Sequence, residues 1–248
     1  MPAQETMLVI ERTKSGLQRG ELREMCGRFT LTEDWSEIIR SFGLVDNGFH
    51  YPPRYNIAPS QNVVAIVANS DGERRTGLLK WGLIPSSSDS PKTTFSTFNA
   101  RSETLLKNGT WKRLVPRKRC IIPADGFYEW RKSTKRPLRI QLKSRKLFGL
   151  AGLYDTWTSA DGTQKVSSCT IITCKPNLFM SSIHDRMPVI LPKENEDLWL
   201  DRSVTDTSLV TSVLQPYANS DMHAYYVPPL VGNVRNDGPE CTEEYVWN

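Results

Sequence analysis

The stretch Asn62-Val-Val-Ala-Ile-Val-Ala68, followed by Asp71-Gly72 and then Thr76-Gly-Leu-Leu-Lys-Trp81, sets the fold class. Two apolar, β-branched runs joined through an Asp-Gly turn read as a hairpin of antiparallel strands. Downstream, 119–122, 126–130, 138–143, 147–154 and 166–173 carry five more strand patterns, with Ser144-Arg-Lys146 and Asp161-Gly162 as turns between neighbours. A late strand is expected over 223–227. Upstream, Thr32 is expected to cap a helix with Glu33 and Asp34 in its first turn. Trp35, Ile38, Ile39 and Phe42 then follow at core spacing before Gly43 ends it. Other helical stretches are short: 102–107, 176–182, 194–200 and 206–214. Clustered strands with short connections imply an α+β fold, mainly antiparallel, with a curved or barrel-like sheet core and short flanking helices.

The chain has 248 residues, enough to bury a sizeable core, and its 38% hydrophobic content with seven Trp argues against wholesale disorder. No apolar run approaches the roughly 18 residues of a membrane span. Five Cys without a CxxC pair indicate neither a disulfide framework nor a zinc ribbon, and a reducing compartment is expected. One domain is expected over 25–240, preceded by a weakly structured leader (1–24) and followed by a tail (241–248).

Charge is uneven. Residues 107–146 hold fourteen Lys/Arg against Asp125 and Glu129, whereas 177–248 hold four bases against eleven acids. A basic segment of this kind either faces a polyanion or wets one side of a sheet.

Four short segments combine polar groups with irregular backbone: Met25-Cys-Gly-Arg-Phe29, Asn99-Ala-Arg101, Ala124-Asp-Gly-Phe-Tyr-Glu-Trp130 and Ile183-His-Asp-Arg-Met-Pro188. If translation starts at Met25 and that methionine is removed, Cys26 becomes a 1,2-aminothiol. Its amine attacks an aldehyde to give an imine, and its thiol closes the five-membered thiazolidine. Otherwise Cys26 is a small buried residue. Glu129 sits among aromatics, where an apolar setting favours the protonated acid; a solvated strand carboxylate is the alternative. His184 titrates near neutrality in a polar, Pro-bounded loop, or is merely structural. Asn99 and Arg101, two apart, share one face of an extended segment, suited to a sugar oxygen and a phosphate, or else they precede a helix.

Together these segments resemble the SOS-response-associated peptidase (SRAP) family of abasic-site processing proteins. The likeness extends through Tyr55-Asn-Ile-Ala-Pro-Ser60, Trp81-Gly-Leu-Ile-Pro85, Asn99-Ala-Arg-Ser-Glu103 and Arg119-Cys-Ile-Ile-Pro-Ala-Asp125. Further on it includes Gly149-Leu-Ala-Gly-Leu-Tyr154, Ile171-Ile-Thr173 and Val231-Gly-Asn-Val234. The resemblance implies that Cys26 crosslinks to DNA, Asn99 orients the opened sugar and Glu129 handles protons in formation and reversal. His184 would assist ring opening and restrain strand cleavage. Arg28, Arg101 and Arg186 would hold flanking phosphates, with Trp130 and Thr173 lining the groove. It implies no metal and no cofactor, a cytoplasmic, DNA-associated protein, and single-stranded DNA with abasic sites as the partner, including sites at duplex junctions. No membrane is involved, and a monomer is the simplest assembly.

Two departures stand out. While residues precede Cys26, its nitrogen is an amide and the imine chemistry is blocked. A misassigned upstream start is the favoured explanation, with trimming by a protease or self-cleavage as the others. The loop Ser86-Ser-Ser-Asp-Ser-Pro91 also lacks the family's aromatic residues, which weakens the expected stacking at a junction. Beside covalent capture stand two other readings: a self-processing peptidase, and a non-covalent single-strand binding module using the basic segment.

Overall fold

The computed structural model describes residues 26–92 and 97–247. The expected leader and Met25 lie outside the described residues. In chain order the elements are β1 (Phe29–Leu31), α1 (Trp35–Phe42), β2 (Arg54–Ile57), β3 (Asn62–Ala68), β4 (Arg74–Trp81), β5 (Asn99–Arg101) and α2 (Gly109–Leu114). Next come β6 (Arg119–Ala124), β7 (Gly126–Trp130), β8 (Pro137–Leu142), β9 (Phe148–Thr158), β10 (Lys165–Cys174) and α3 (Leu178–Ser181). The chain continues with β11 (Met187–Pro188), β12 (Ile190–Leu191), α4 (Glu196–Leu200), α5 (Thr207–Ser212) and β13 (Met222–Tyr226).

The expected α+β, barrel-like architecture is what forms. Strands β10, β4, β3, β6 and β9 are neighbours in that order, and β9 pairs back onto β10, which closes a five-stranded ring. Only its β10–β4 seam is parallel. Closure removes the open edges of that sheet, and strands such as β6 are buried along their whole length. Gly152 on β9 allows the crossing with β6: a Cβ there would meet Cys120 Sγ and Thr170 O at 2.9 Å. A second antiparallel sheet, ordered β13-β8-β7-β1-β2, packs on the barrel. Its far side is covered by a smaller core of Tyr128, Val227, Val231 and Cys241.

Several expectations need correction. Helix α1 begins after Asp34, not Thr32, because Asp125 claims Thr32: its carboxylate accepts from Thr32 N, from Thr32 Oγ1 (2.8 Å) and from Glu33 N (3.1 Å). The 102–107 helix shrinks to a 3-10 turn over Ser102–Thr104. Asn108 then caps α2, accepting from Thr110 N at 2.9 Å. Gly43 ends α1 as expected, with a left-handed φ of +59°. Residues 241–247, expected as a tail, run against the second sheet: Tyr225 Oη donates to Thr242 O (2.9 Å) and Tyr245 N to Tyr226 O (2.8 Å). Among the described residues no helix is long and apolar enough to cross a membrane.

Candidate active site

β1 runs antiparallel to β7, with Phe29 opposite Phe127 and Tyr128 N donating to Arg28 O at 2.9 Å. This pairing carries Cys26 to the far end of β7. There Cys26 N donates to Glu129 Oε1 at 2.8 Å. Both residues are buried, at 4% and 1% exposure. Cys26 has a φ of +43°, a left-handed conformation that costs a residue with a Cβ about 1 kcal/mol. Burial pushes the Cys26 thiol well above its usual range; the charge of Glu129, a hydrogen bond to it, and Cys174 add to the rise, while Arg186 opposes it. Burial also pushes the Cys174 thiol up, to about 12. The resting thiol is therefore protonated, and the backbone N–H beside it donates directly to the Glu129 carboxyl.

The end of β10 gathers the other expected residues. Asn99 lies opposite Ile171 and Arg101 opposite Thr173, while Thr173 also pairs with Pro188 of β11. The 99–101 strand and the 184–188 loop thus flank one strand end. Arg186 holds Glu103 with both ends of its fork (2.7 and 2.9 Å) and donates to Thr173 O (2.7 Å) and Oγ1 (3.2 Å). His184 Nδ1 lies 3.1 Å from Arg186 N and 3.2 Å from Arg186 O, so the backbone of Arg186 holds the ring in place through that nitrogen.

The expected phosphate holders are placed unequally. Arg101 is exposed. Arg28, only 7% exposed, is an internal brace instead: Nη1 donates to Asn56 Oδ1 (3.0 Å) and Val231 O (2.8 Å), and Nη2 to Gly232 O (3.2 Å). Its guanidinium also lies 5.8 Å from the ring centre of half-buried Trp130. Arg186 is engaged by Glu103, and Thr173 is fully buried beneath it rather than open to a groove. Glu103 and Cys174 were not anticipated. Glu103 closes the motif Asn99-Ala-Arg-Ser-Glu103, which was its only signal in the sequence.

The basic segment does not form one polyanion face. Arg119 is buried against backbone carbonyls, and Arg139 pairs with Asp125 in the core at 2.9 Å. Arg113 pairs with Asp155, Lys146 with Glu33 (3.5 Å) and Arg145 with Glu196 (3.7 Å). The cations that remain exposed are scattered, with Lys107, Lys112 and Arg117 around α2, Lys143 after β8, and Lys135 in the turn after β7. No group of three or more His, Cys, Asp or Glu is placed to hold a metal among the described residues.

A profile of the SOS response associated peptidase (SRAP) family matches residues 25–234. The chain is 47% identical over 227 residues to the abasic site processing protein YoqW of Bacillus subtilis (strain 168), covering 89% of this chain and 100% of that protein. It is 34% identical over 222 residues to the abasic site processing protein HMCES of Xenopus tropicalis, covering 77% of this chain and 66% of that protein. A crystal structure of a Bacteroides thetaiotaomicron protein superposes with a TM-score of 0.78 at 24% identity, covering 89% of this chain and 100% of that one. A Bordetella bronchiseptica protein gives 0.69 at 26% identity, covering 82% and 100%.

Proposed function

The chain belongs to the SOS response associated peptidase family, and from that premise we propose that it processes abasic sites in single-stranded DNA by capturing them covalently on Cys26, once residues 1–25 are removed. The names of YoqW and HMCES support the substrate class. The observation that carries the mechanism is the 2.8 Å contact between Cys26 N and Glu129 Oε1.

With the leader gone, that nitrogen is a primary amine. Glu129 takes a proton from the ammonium form, and the freed amine adds to C1′ of the ring-opened deoxyribose, forming a C–N bond. The carbinolamine loses water, with Glu129 returning the proton to the departing hydroxyl, and an imine remains. The Cys26 sulfur then bonds to C1′ while its proton passes to the nitrogen, which completes the thiazolidine. A thiol held protonated suits this order, because it supplies that proton rather than competing early as a thiolate. His184 assists opening of the sugar, Asn99 orients its oxygens, and Arg101 holds a neighbouring phosphate. Reversal retraces the same path through Glu129.

A second reading shares the same contact. In the uncleaved chain the nitrogen bonded to Glu129 belongs to the Met25–Cys26 peptide, so the carboxyl is placed to protonate it as a leaving group. Cys26 sulfur would attack the Met25 carbonyl carbon, the C–N bond would break as the nitrogen gained a proton, and water would hydrolyse the thioester. Purified precursor then shortens without added protease, and Glu129→Gln halts it.

The primary test incubates protein beginning at Cys26 with a single-stranded abasic oligonucleotide. Intact mass is expected to show protein plus DNA less one water, stable to heat. Cys26→Ala abolishes the heat-stable adduct, and Cys26→Ser leaves at most a labile imine; a heat-stable adduct in either variant refutes the thiazolidine.

A further inference from the structure

The turn between β7 and β8 reads Arg131-Lys-Ser-Thr-Lys-Arg136, four cations in six residues. Arg131 N donates to Arg136 O at 3.0 Å and Lys135 takes a left-handed φ of +57°, so the turn is closed and tight. Lys132 fastens it to the loop of His184: its N–H donates to Ile183 O at 3.1 Å and its Nζ pairs with Asp185. Arg131 follows Glu129 by two residues, a rise of about 7 Å along an extended strand.

Arg131 and Arg136 form no ion pair with a carboxylate among the described residues. Each lies on an aromatic ring instead, Arg131 5.7 Å from the centre of Tyr226 and Arg136 4.9 Å from that of Trp247. Tyr245, itself exposed, stands edge-on to Trp247 at 5.2 Å. Arg131 Nε and Trp247 Nε1 are shielded from solvent and donate to no acceptor among the described residues. Sheltered donors without acceptors are uncommon because they are costly, and two in one cationic, aromatic patch point to a ligand rich in acceptors.

We propose that this Arg–aromatic face is a second nucleic-acid subsite, which binds the unpaired strand flanking the lesion. The inference rests on the reading of Cys26 above, because a strand with its damaged sugar at Cys26 must leave past one side of the site, and this turn borders it. Arg131 and Arg136 hold successive phosphates, and a base lies against exposed Tyr245. Stacking and charge together track a single strand without selecting its sequence. Glu243 and Glu244, exposed just before Tyr245, form an acidic margin on the tail side, and Asp185 is matched by Lys132.

The test measures binding of the full chain to single-stranded oligonucleotides bearing a tetrahydrofuran abasic analogue, which has no aldehyde and cannot crosslink. Flanks are lengthened one side at a time and read by fluorescence anisotropy. Affinity is expected to tighten with length on one side only. Arg131→Gln/Arg136→Gln should lower the salt slope by about 1.4, from two phosphates, and weaken binding about 25-fold at 0.1 M salt. Arg131→Lys/Arg136→Lys, which keeps the charge, should keep the slope, and Tyr245→Ala should weaken binding about tenfold. An unchanged slope in the folded Gln variant, no gain from either flank in the wild type, or tighter binding to matched duplex would each overturn the proposal. Absence of covalent adduct with a true abasic strand would sink the Cys26 reading and leave the analogue result standing.

Discussion

Exchanging Glu129 for Gln separates the proton chemistry from the placement of the nucleophile. Glu129 Oε1 lies 2.8 Å from Cys26 N. Gln has the same length and still offers an oxygen to that N–H, so the nitrogen stays in place; only the capacity to take and return a proton is lost. A positioned acid–base group supplies about 10²–10⁴-fold, which is about 3–5.5 kcal/mol of barrier. Asp makes the complementary change. It keeps the proton capacity but shortens the reach by about 1.5 Å, which moves the oxygen to about 4.3 Å, beyond hydrogen-bond distance. The assay is single-turnover crosslinking of protein beginning at Cys26, resolved on denaturing gels, with reversal followed by a chase of excess unlabelled abasic strand. In the proposed path one carboxyl serves both directions, so Glu129→Gln is expected to slow formation and reversal by the same factor and leave the final yield unchanged. A wild-type rate, or slow formation with normal reversal, refutes the single-shuttle reasoning.

Other expectations follow from the scaffold. Arg119 donates to the carbonyls of Trp199, Val115, Pro116, Asp201 and Val204; Arg119→Met keeps the apolar stem and strips all five bonds. The loss should be at least about 3 kcal/mol in urea unfolding, and a change below about 1 kcal/mol would show that these carbonyls find other donors. At Gly126 an added Cβ would lie 2.7 Å from Arg139 Nε and 2.9 Å from Thr30 Oγ1. Gly126→Ala should therefore cost about 1–3 kcal/mol, and an unshifted midpoint would mean that the buried Arg139–Asp125 pair yields freely. With the Cys174 thiol up at about 12, its thiolate fraction grows tenfold per pH unit below that value. Alkylation of Cys174 by iodoacetamide, followed by peptide mass spectrometry, should climb through pH 10 without a plateau; a plateau near pH 8 would contradict the burial argument.

What the sequence disclosed was mostly local. A continuous apolar run before Asp71-Gly72 placed β3 to the residue, and the aromatic run after Asp125 did the same for β7, because strand pattern and turn chemistry are properties of a few neighbours. β1 and β2, of three and four residues, lack the length for a pattern and exist through their partners. Thr32 was misread as a cap because Asp125, far along the chain, takes its N–H and hydroxyl. The basic segment looked like one surface because linear charge does not reveal that Arg119 and Arg139 turn inward. The approach of Cys26 to Glu129 was expected only through the family resemblance, because each residue alone had a structural alternative. The fork of Arg186 on Glu103 was not, since it joins loops on opposite sides of β10.

The brace formed by Arg28 has a temporal meaning. Arg28 and Asn56 both hang on the carbonyl of Val231, and Asn56 Nδ2 also reaches those of Asn233 (3.2 Å) and Asn236 (2.8 Å). A polypeptide emerging from the ribosome has none of these anchors until residues 231–236 are made. The strand that carries Cys26 is thus seated by residues made about 200 positions later, and a chain cut before position 231 is expected to lose that seat while keeping Cys26 and Glu129.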